Sequence, residues 1–265
     1  MPDNSHISFA GPLEALRPIT LDEMDSIKLM NRIDSKYLTD EAGLLRLLSA
    51  AAAAGYRVLV TEGVRISPYD SVYFDTEGLR MFCDHHNRRL VRQKVRTRCY
   101  VNSGTTFLEI KRKNNKGRTK KKRTAIPQAE LMDFRADAAA CDYLAGHSWF
   151  RAEELSPVLE TIFQRITLVN PALTERLTID TVLCFKNFRT GKETSLQNAV
   201  IIELKQDGRA ASQMKNILLD LRIKPVRVSK YCIAVTLTDP GAKSGRFKVK
   251  VRTIEKTIGN KIVTI

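Results

Sequence analysis

The chain has 265 residues, with 44 Lys and Arg against 29 Asp and Glu and a formal net charge of +15. That length fits one large β-barrel domain or two ordinary domains, and the charge calls for an anionic partner: nucleic acid, a membrane surface or a phosphate-rich small molecule. The five cysteines are scattered without a Cys-x-x-Cys pair and no apolar run approaches a membrane span, which argues against zinc and redox couples and leads us to expect a soluble, cytoplasmic protein.

Residues 1–30 carry Leu13, Leu16, Leu21, Met24, Ile27 and Met30 at near-helical spacing, and Thr20 with Glu23 reads as a capping box. One or two short helices packed on the main domain are expected. From Asn31 the texture changes to period two, predicting strands over 31–39, 56–60, 66–75, 88–101, 105–114, 118–126, 158–169, 173–186, 199–206 and 226–237. Helical patterns fall at 40–54, where the alanines Ala50 to Ala54 run up to Gly55, and at 76–84, 128–145 and 208–222. His85 and His86, adjacent, read as a polar surface pair rather than a metal site. Asn114 to Gly117 and Arg189 to Lys192 are hairpin turn signals. Consecutive hairpins favour an antiparallel sheet over βαβ units. After Pro240, Phe247, Val249 and Val251 alternate with Lys248, Lys250 and Arg252, predicting a basic strand or tail over 241–265. With no solenoid repeat and no long linker, residues 31–240 read as a single domain.

The charges are arranged. In "RRLVRQKVRTRCYV", Arg92, Lys94, Arg96 and Arg98 occupy every second position with no acid between them, so a strand places all four on one face. An exposed strand would need an apolar opposite face; Val91, Val95 and Cys99 suit that, whereas Gln93 and Thr97 do not. Three acid-x-Lys pairs follow the same period: Asp34 with Lys36, Glu109 with Lys111, and Glu203 with Lys205. One such pair is an ordinary surface ion pair; three, set among strong β-formers, suggest an interior. The run "EIKRKNNKGRTKKKR" spreads basic residues over both arms of a hairpin, and Arg165, Arg176 and Lys230 are single cations in strand-like runs. Aligned in a barrel these would form a ring needing a polyanion to offset repulsion and desolvation. Neither Gly-x-x-x-x-Gly-Lys nor Gly-x-Gly-x-x-Gly occurs, so side-chain cations rather than a glycine-rich loop must hold phosphate.

"LMNRIDSKYL", "SVYFDT", "VRTRCY", "FLEIKRKNNKGRTKKKR", "RLTIDT", "VIIELK" and "SKY" together resemble the polyphosphate polymerase domain of the vacuolar transporter chaperone (VTC) family, a branch of the CYTH-like triphosphate tunnel metalloenzymes; the opening is similar to stand-alone bacterial members. The resemblance runs from about Pro18 to Thr238. It implies an α+β, mainly β fold: a closed antiparallel β-barrel, the triphosphate tunnel, with helices covering its outside and ends. It implies phosphate-binding, catalytic roles for Lys36, Arg96, Arg98, Lys111, Arg165, Arg176 and Lys230, further phosphate contacts from Lys121 and Arg123, and a metal, Mn²⁺ or Mg²⁺, on Glu203. Arg32 and Asp34 stand where the wider superfamily has two glutamates, which weakens a hydrolase type of metal site and shifts weight to Glu203, helped by Glu109. Phe163 stands where an aromatic hydroxyl is expected.

The activity so implied is transfer of the γ-phosphoryl group of ATP to a growing inorganic polyphosphate, with ATP and polyphosphate as partners, no nucleic acid, no membrane span of its own, and room for a separate membrane protein as associate. A tunnel triphosphatase would use the same cations. A non-enzymatic polyanion or RNA binder would interleave stacking aromatics with them, for which Tyr37, Tyr100 and Tyr231 are the candidates.

Overall fold

The computed structural model describes residues 9–25, 32–208 and 211–265. Helices α1 (Ala10–Glu14) and α2 (Leu21–Asp25) flank the short strand β1 (Arg17–Ile19). The Thr20 amide donates to Glu23 Oε2 at 2.8 Å and the Glu23 amide to Thr20 Oγ1 at 3.3 Å, completing the capping box. The expected helical positions Ile27 and Met30 lie outside the described residues.

Strand β2 (Arg32–Asp40) leads into α3 (Glu41–Ala53), started by the Asp40 carboxylate accepting from the Gly43 amide at 2.7 Å. Then come β3 (Arg57–Leu59), β4 (Ser67–Asp75), α4 (Arg80–His86), β5 (Arg92–Tyr100), β6 (Thr105–Lys113) and β7 (Thr119–Ile126). The β6–β7 turn closes at Gly117, whose φ of +78° is left-handed. Two 3₁₀ turns precede α5 (Ala138–His147), followed by β8 (Ser156–Val169), β9 (Glu175–Asn187), β10 (Glu193–Leu196) and β11 (Ala199–Asp207). Helices α6 (Gln213–Asp220), α7 (Lys230–Thr238) and α8 (Lys248–Ile258) complete the chain.

Two predicted strands are helices. The run 226–237 forms α7 from Lys230, with the Ser229 side chain accepting from the Cys232 amide at 3.3 Å. The tail beyond Pro240 forms α8: Phe247, Val251, Ile254 and Ile258 pack inward at helical spacing, and Gly259 ends the helix at φ +73°. His86 is also not a surface residue; it is 4% exposed and accepts from the Arg246 amide.

The main sheet runs β2-β11-β9-β8-β4-β5-β6-β7, antiparallel throughout. It curls about the start of α7, where Ser229 accepts from Lys94 on β5 and Lys230 reaches Asp180 on β9. It is not a closed barrel: β2 and β7 end the order and do not pair. Both free edges show why. The outer edge of β2 is taken by the segment before α7, with the Val226 amide on the Lys36 carbonyl at 2.8 Å and a bridge from Tyr37 to Pro225. The β7 edge carries exposed Lys120, Lys121, Lys122 and Arg123, which discourage pairing.

Alternation sorts the two faces. Outward apolar residues of β8, β9 and β11 pack under α1, α3 and α6 (Leu44, Leu47, Ile179, Val200, Leu204), and those of β4 to β6 pack under α4 and α5 (Val95, Leu108, Ile110, Leu144). Gln93 and Thr97 are buried on this outer face and satisfied there by Ser148 Oγ and the Leu131 carbonyl. One end of the inner face is filled by α7 and α8 (Tyr231, Val235, Ile254) against Leu159, Leu183 and Phe185. The remaining inner face is basic, with aromatic rings set among the cations.

Candidate active site

Directly paired residues on neighbouring strands share a face, so the register assembles the lumen row by row. Lys94 pairs with Lys111, and Lys111 with Lys121; Arg96 pairs with Glu109, and Glu109 with Arg123. On the facing wall Glu203 sits between Lys36 and Thr178, Lys205 beside Arg176, and Arg165 opposite Asp180. Lys230 enters from the first turn of α7 and reaches Asp180. The structure therefore brings Lys36, Arg96, Arg98, Lys111, Arg165, Arg176, Glu203 and Lys230 into one trough, with Lys121 and Arg123 on its exposed rim.

Three carboxylates hold this charge in place. Glu109, 1% exposed, accepts from Arg96 Nε at 2.8 Å and Nη2 at 2.5 Å and from Lys121 Nζ at 3.0 Å. Burial alone would raise its pKa; Arg96, Arg98, Lys111 and Lys121 instead hold it well below the usual range. Asp180 receives a bidentate Arg165, at 2.6 and 2.8 Å, together with Lys230 Nζ, and is likewise depressed by Arg165 and Lys230 against burial. Glu203 meets Lys205 Nζ at 2.6 Å and Lys36 Nζ at 3.7 Å; burial is outweighed by Lys205 and Lys36, and it too titrates well below normal.

Other cations have no carboxylate. Among the described residues no ion pair joins Arg98, Lys94 or Lys111 to an acid. Arg98, 6% exposed, donates to Ser71 Oγ at 3.0 Å and lies over the Tyr69 and Phe163 rings at 5.3 and 5.6 Å; burial, then Arg96 and Arg165, push it down to about 10. Lys111 is held well below its usual value by Arg96 and by burial. Lys94 donates to Ser229 Oγ at 2.7 Å and is lowered by burial. Such a lumen is costly when empty and is complementary to a polyanion.

Sequence reasoning missed Asp180, although Arg176, Thr178 and Asp180 alternate as plainly as the basic strand does; a lone acid drew no attention among cations. It also left Lys94 and Lys205 outside the site. Of the three proposed aromatics, Tyr37 is buried in the outer core and Tyr231 is buried with its hydroxyl on Asp75 at 2.6 Å. Tyr100 does face the lumen, joined by Tyr69, Tyr73, Phe107 and Phe163. Where a hydroxyl was expected, the Phe163 ring lies beneath Lys230 Nζ at 3.5 Å, giving a cation–π contact.

The VTC domain model matches residues 31–238, from the first strand of the main sheet to the end of α7. The chain belongs to the VTC domain family. No curated protein matches it. Among solved structures this VTC domain is similar to a putative adenylyl cyclase from Hippeastrum with a dominant triphosphatase activity: 11% identity, TM-score 0.50, 76% of this chain and 94% of that chain covered. A putative adenylate cyclase from Vibrio parahaemolyticus has 9% identity and a TM-score of 0.43, with 75% and 94% covered; a conserved hypothetical protein from Pyrococcus furiosus has 12% and 0.42, with 76% and 99% covered. The Hippeastrum likeness is one of fold alone.

A divalent cation fits the VTC site in one way. Among the described residues no three His, Cys, Asp or Glu side chains gather as a cage. Glu203, however, adjoins Thr178, whose buried hydroxyl oxygen has no hydrogen-bond partner. One carboxylate and one hydroxyl are hard oxygen donors, suited to Mg²⁺ or Mn²⁺ whose remaining positions go to water and substrate phosphates. Among the described residues no helix is long and apolar enough to cross a membrane.

Proposed function

We propose that this VTC domain is a polyphosphate polymerase, transferring the γ-phosphoryl group of ATP to the end of a growing inorganic polyphosphate inside the basic trough. The observation that carries this reading is the lumen charge: Lys36, Lys94, Arg96, Arg98, Lys111, Arg165, Arg176, Lys205 and Lys230 surround only a few carboxylates. Phosphoryl transfer asks mainly for in-line positioning and neutralisation of the equatorial oxygens. Arg96, Arg98, Arg165 and Arg176 offer planar, two-pronged contacts to phosphate oxygens, while Lys36, Lys111 and Lys230 add compact charge. A metal held by Glu203 and Thr178 would supply further neutralisation of the transferred phosphate.

A tunnel triphosphatase shares those needs and adds one, a water oriented and deprotonated; a triphosphatase activity is reported for the Hippeastrum neighbour. Glu109, Asp180 and Glu203 are each clamped between cations and depressed in pKa, which makes them poor general bases. An acceptor phosphate is already anionic and needs no base. Transfer asks for no group beyond these cations, whereas hydrolysis would need its water activated by a metal held at Glu203 and Thr178.

The test is incubation of the protein with ATP and Mn²⁺ or Mg²⁺, followed by separation of the products. We expect polyphosphate ladders, lost in Lys36→Ala and Arg96→Ala variants that remain folded. Free phosphate without ladders would establish the triphosphatase instead, and neither product would leave a polyanion binder.

A further inference from the structure

One wall of the trough carries aromatic rings as well as phosphate-binding cations. Two residues beyond Arg98 on β5 stands Tyr100, and two residues before Glu109 on β6 stands Phe107; both face the lumen and both are half-buried. Their rings meet edge to face at 5.9 Å, and Tyr69 on β4 tilts against Tyr100 at 5.0 Å while stacking on Phe163 at 5.3 Å. Guanidinium groups lie against this aromatic row: Arg123 over Phe107 at 4.4 Å, Arg165 over Tyr69 at 4.8 Å and Arg98 over Tyr69 at 5.3 Å. The row is interleaved with the phosphate-binding cations: Phe107 pairs across the strands with Arg98, and Tyr100 stands one inward-facing position beyond that arginine.

Tyr69 and Phe163 serve the phosphate-binding cations, lying under Arg98, Arg165 and Lys230, whereas among the described residues no cation lies over Tyr100. Polyphosphate repeats the same charged unit along its length, so a complementary wall would continue with lysine and arginine. A nucleotide changes chemistry abruptly, from charged phosphates to a ribose and a flat π-face. A step of two residues along a strand advances about 6.7 Å, on the order of the span from an α-phosphate across a ribose. Aromatic rings and arginine planes are the side chains on which nucleobases stack, with little preference for hydrogen-bond pattern.

We infer that Tyr100 and Phe107, with Arg123 over the Phe107 ring, form a nucleobase platform that lets this trough prefer a nucleoside triphosphate over a bare triphosphate. The inference rests on the polyphosphate polymerase reading and adds to it how the donor nucleotide is told apart from the product chain: the donor engages cations and rings, the product cations alone. Tyr69 is the backing of the platform, since its ring already braces Arg98 and Arg165.

Titration calorimetry with ATP and with inorganic tripolyphosphate, both with Mg²⁺, tests this on the intact chain. Tyr100→Leu and Phe107→Leu should weaken ATP about tenfold each while leaving tripolyphosphate within about twofold, and Tyr100→Phe, which keeps the ring, should bind ATP as the unaltered protein does. Unaltered tripolyphosphate binding also shows that each variant is folded. Equal losses for both ligands would show that the rings merely brace the arginines, overturning the platform while the polyphosphate reading stands. Failure of the unaltered protein to bind either ligand would overturn both.

Discussion

Lys230 stands at the start of α7 with its amine between the Phe163 ring and the Asp180 carboxylate. Burial, only partly opposed by Asp180, pushes its pKa down to about 7. The sign is definite: the unfolded chain holds this proton up to the ordinary lysine range, so Lys230 lowers stability below about pH 7, and that cost disappears as pH rises from about 7 to about 10.4. A bound polyanion favours the charged amine and reverses the preference. Binding tripolyphosphate at pH 8 should therefore take up protons, and its affinity should fall from pH 7 to pH 9. Lys230→Arg, permanently charged, should lose that part of the pH dependence; calorimetry in buffers of different ionisation heat reads the difference. Identical proton uptake in both proteins would place the titration elsewhere. The lumen cations themselves were legible in sequence because period two is a simple rule: Arg96, Arg98 and Lys111 face inward as their spacing requires. Asp180 obeys the same rule, but which cations it clamps depends on strands distant in sequence.

At the scale of elements, α3 and the hairpins were readable from local chemistry: Asp40 caps, Gly117 turns, and polar and apolar positions alternate. Helix α7 was not. Tyr231, Cys232, Ile233, Ala234 and Val235 are all buried, so no exposed stripe betrays the helical period, and a short apolar run is ambiguous between buried strand and buried helix. The deciding signal is Ser229, whose side chain caps the helix and accepts from Lys94 Nζ. Ser229→Ala should cost about 1 kcal/mol of stability, measured as a lower denaturant midpoint with an unchanged slope. No change would show that packing alone holds α7. Helix α8 was misread because Phe247, Val249 and Val251 alternate over a few residues, whereas Ile254 and Ile258 extend a helical period only when the whole segment is considered.

For the whole molecule, sequence indicated a curled antiparallel sheet with a cationic inside but overstated its closure. Closure depends on whether β2 and β7 pair, and the Pro225 to Val226 segment occupies the β2 edge instead. No local pattern encodes that competition. The open trough still concentrates cations on one face, so the empty protein carries self-repulsion that a spanning polyanion relieves. The most direct measurement of this central claim is thermal unfolding in tripolyphosphate, sulfate and chloride at equal ionic strength. A ligand binding only the folded state adds about 2.7 kcal/mol at a hundredfold excess over its dissociation constant, so tripolyphosphate should raise the melting temperature by several degrees. Sulfate should do less, because one small anion cannot span the trough, and chloride least. Equal shifts from all three salts would show diffuse surface screening and contradict a lumen built to hold a phosphate chain.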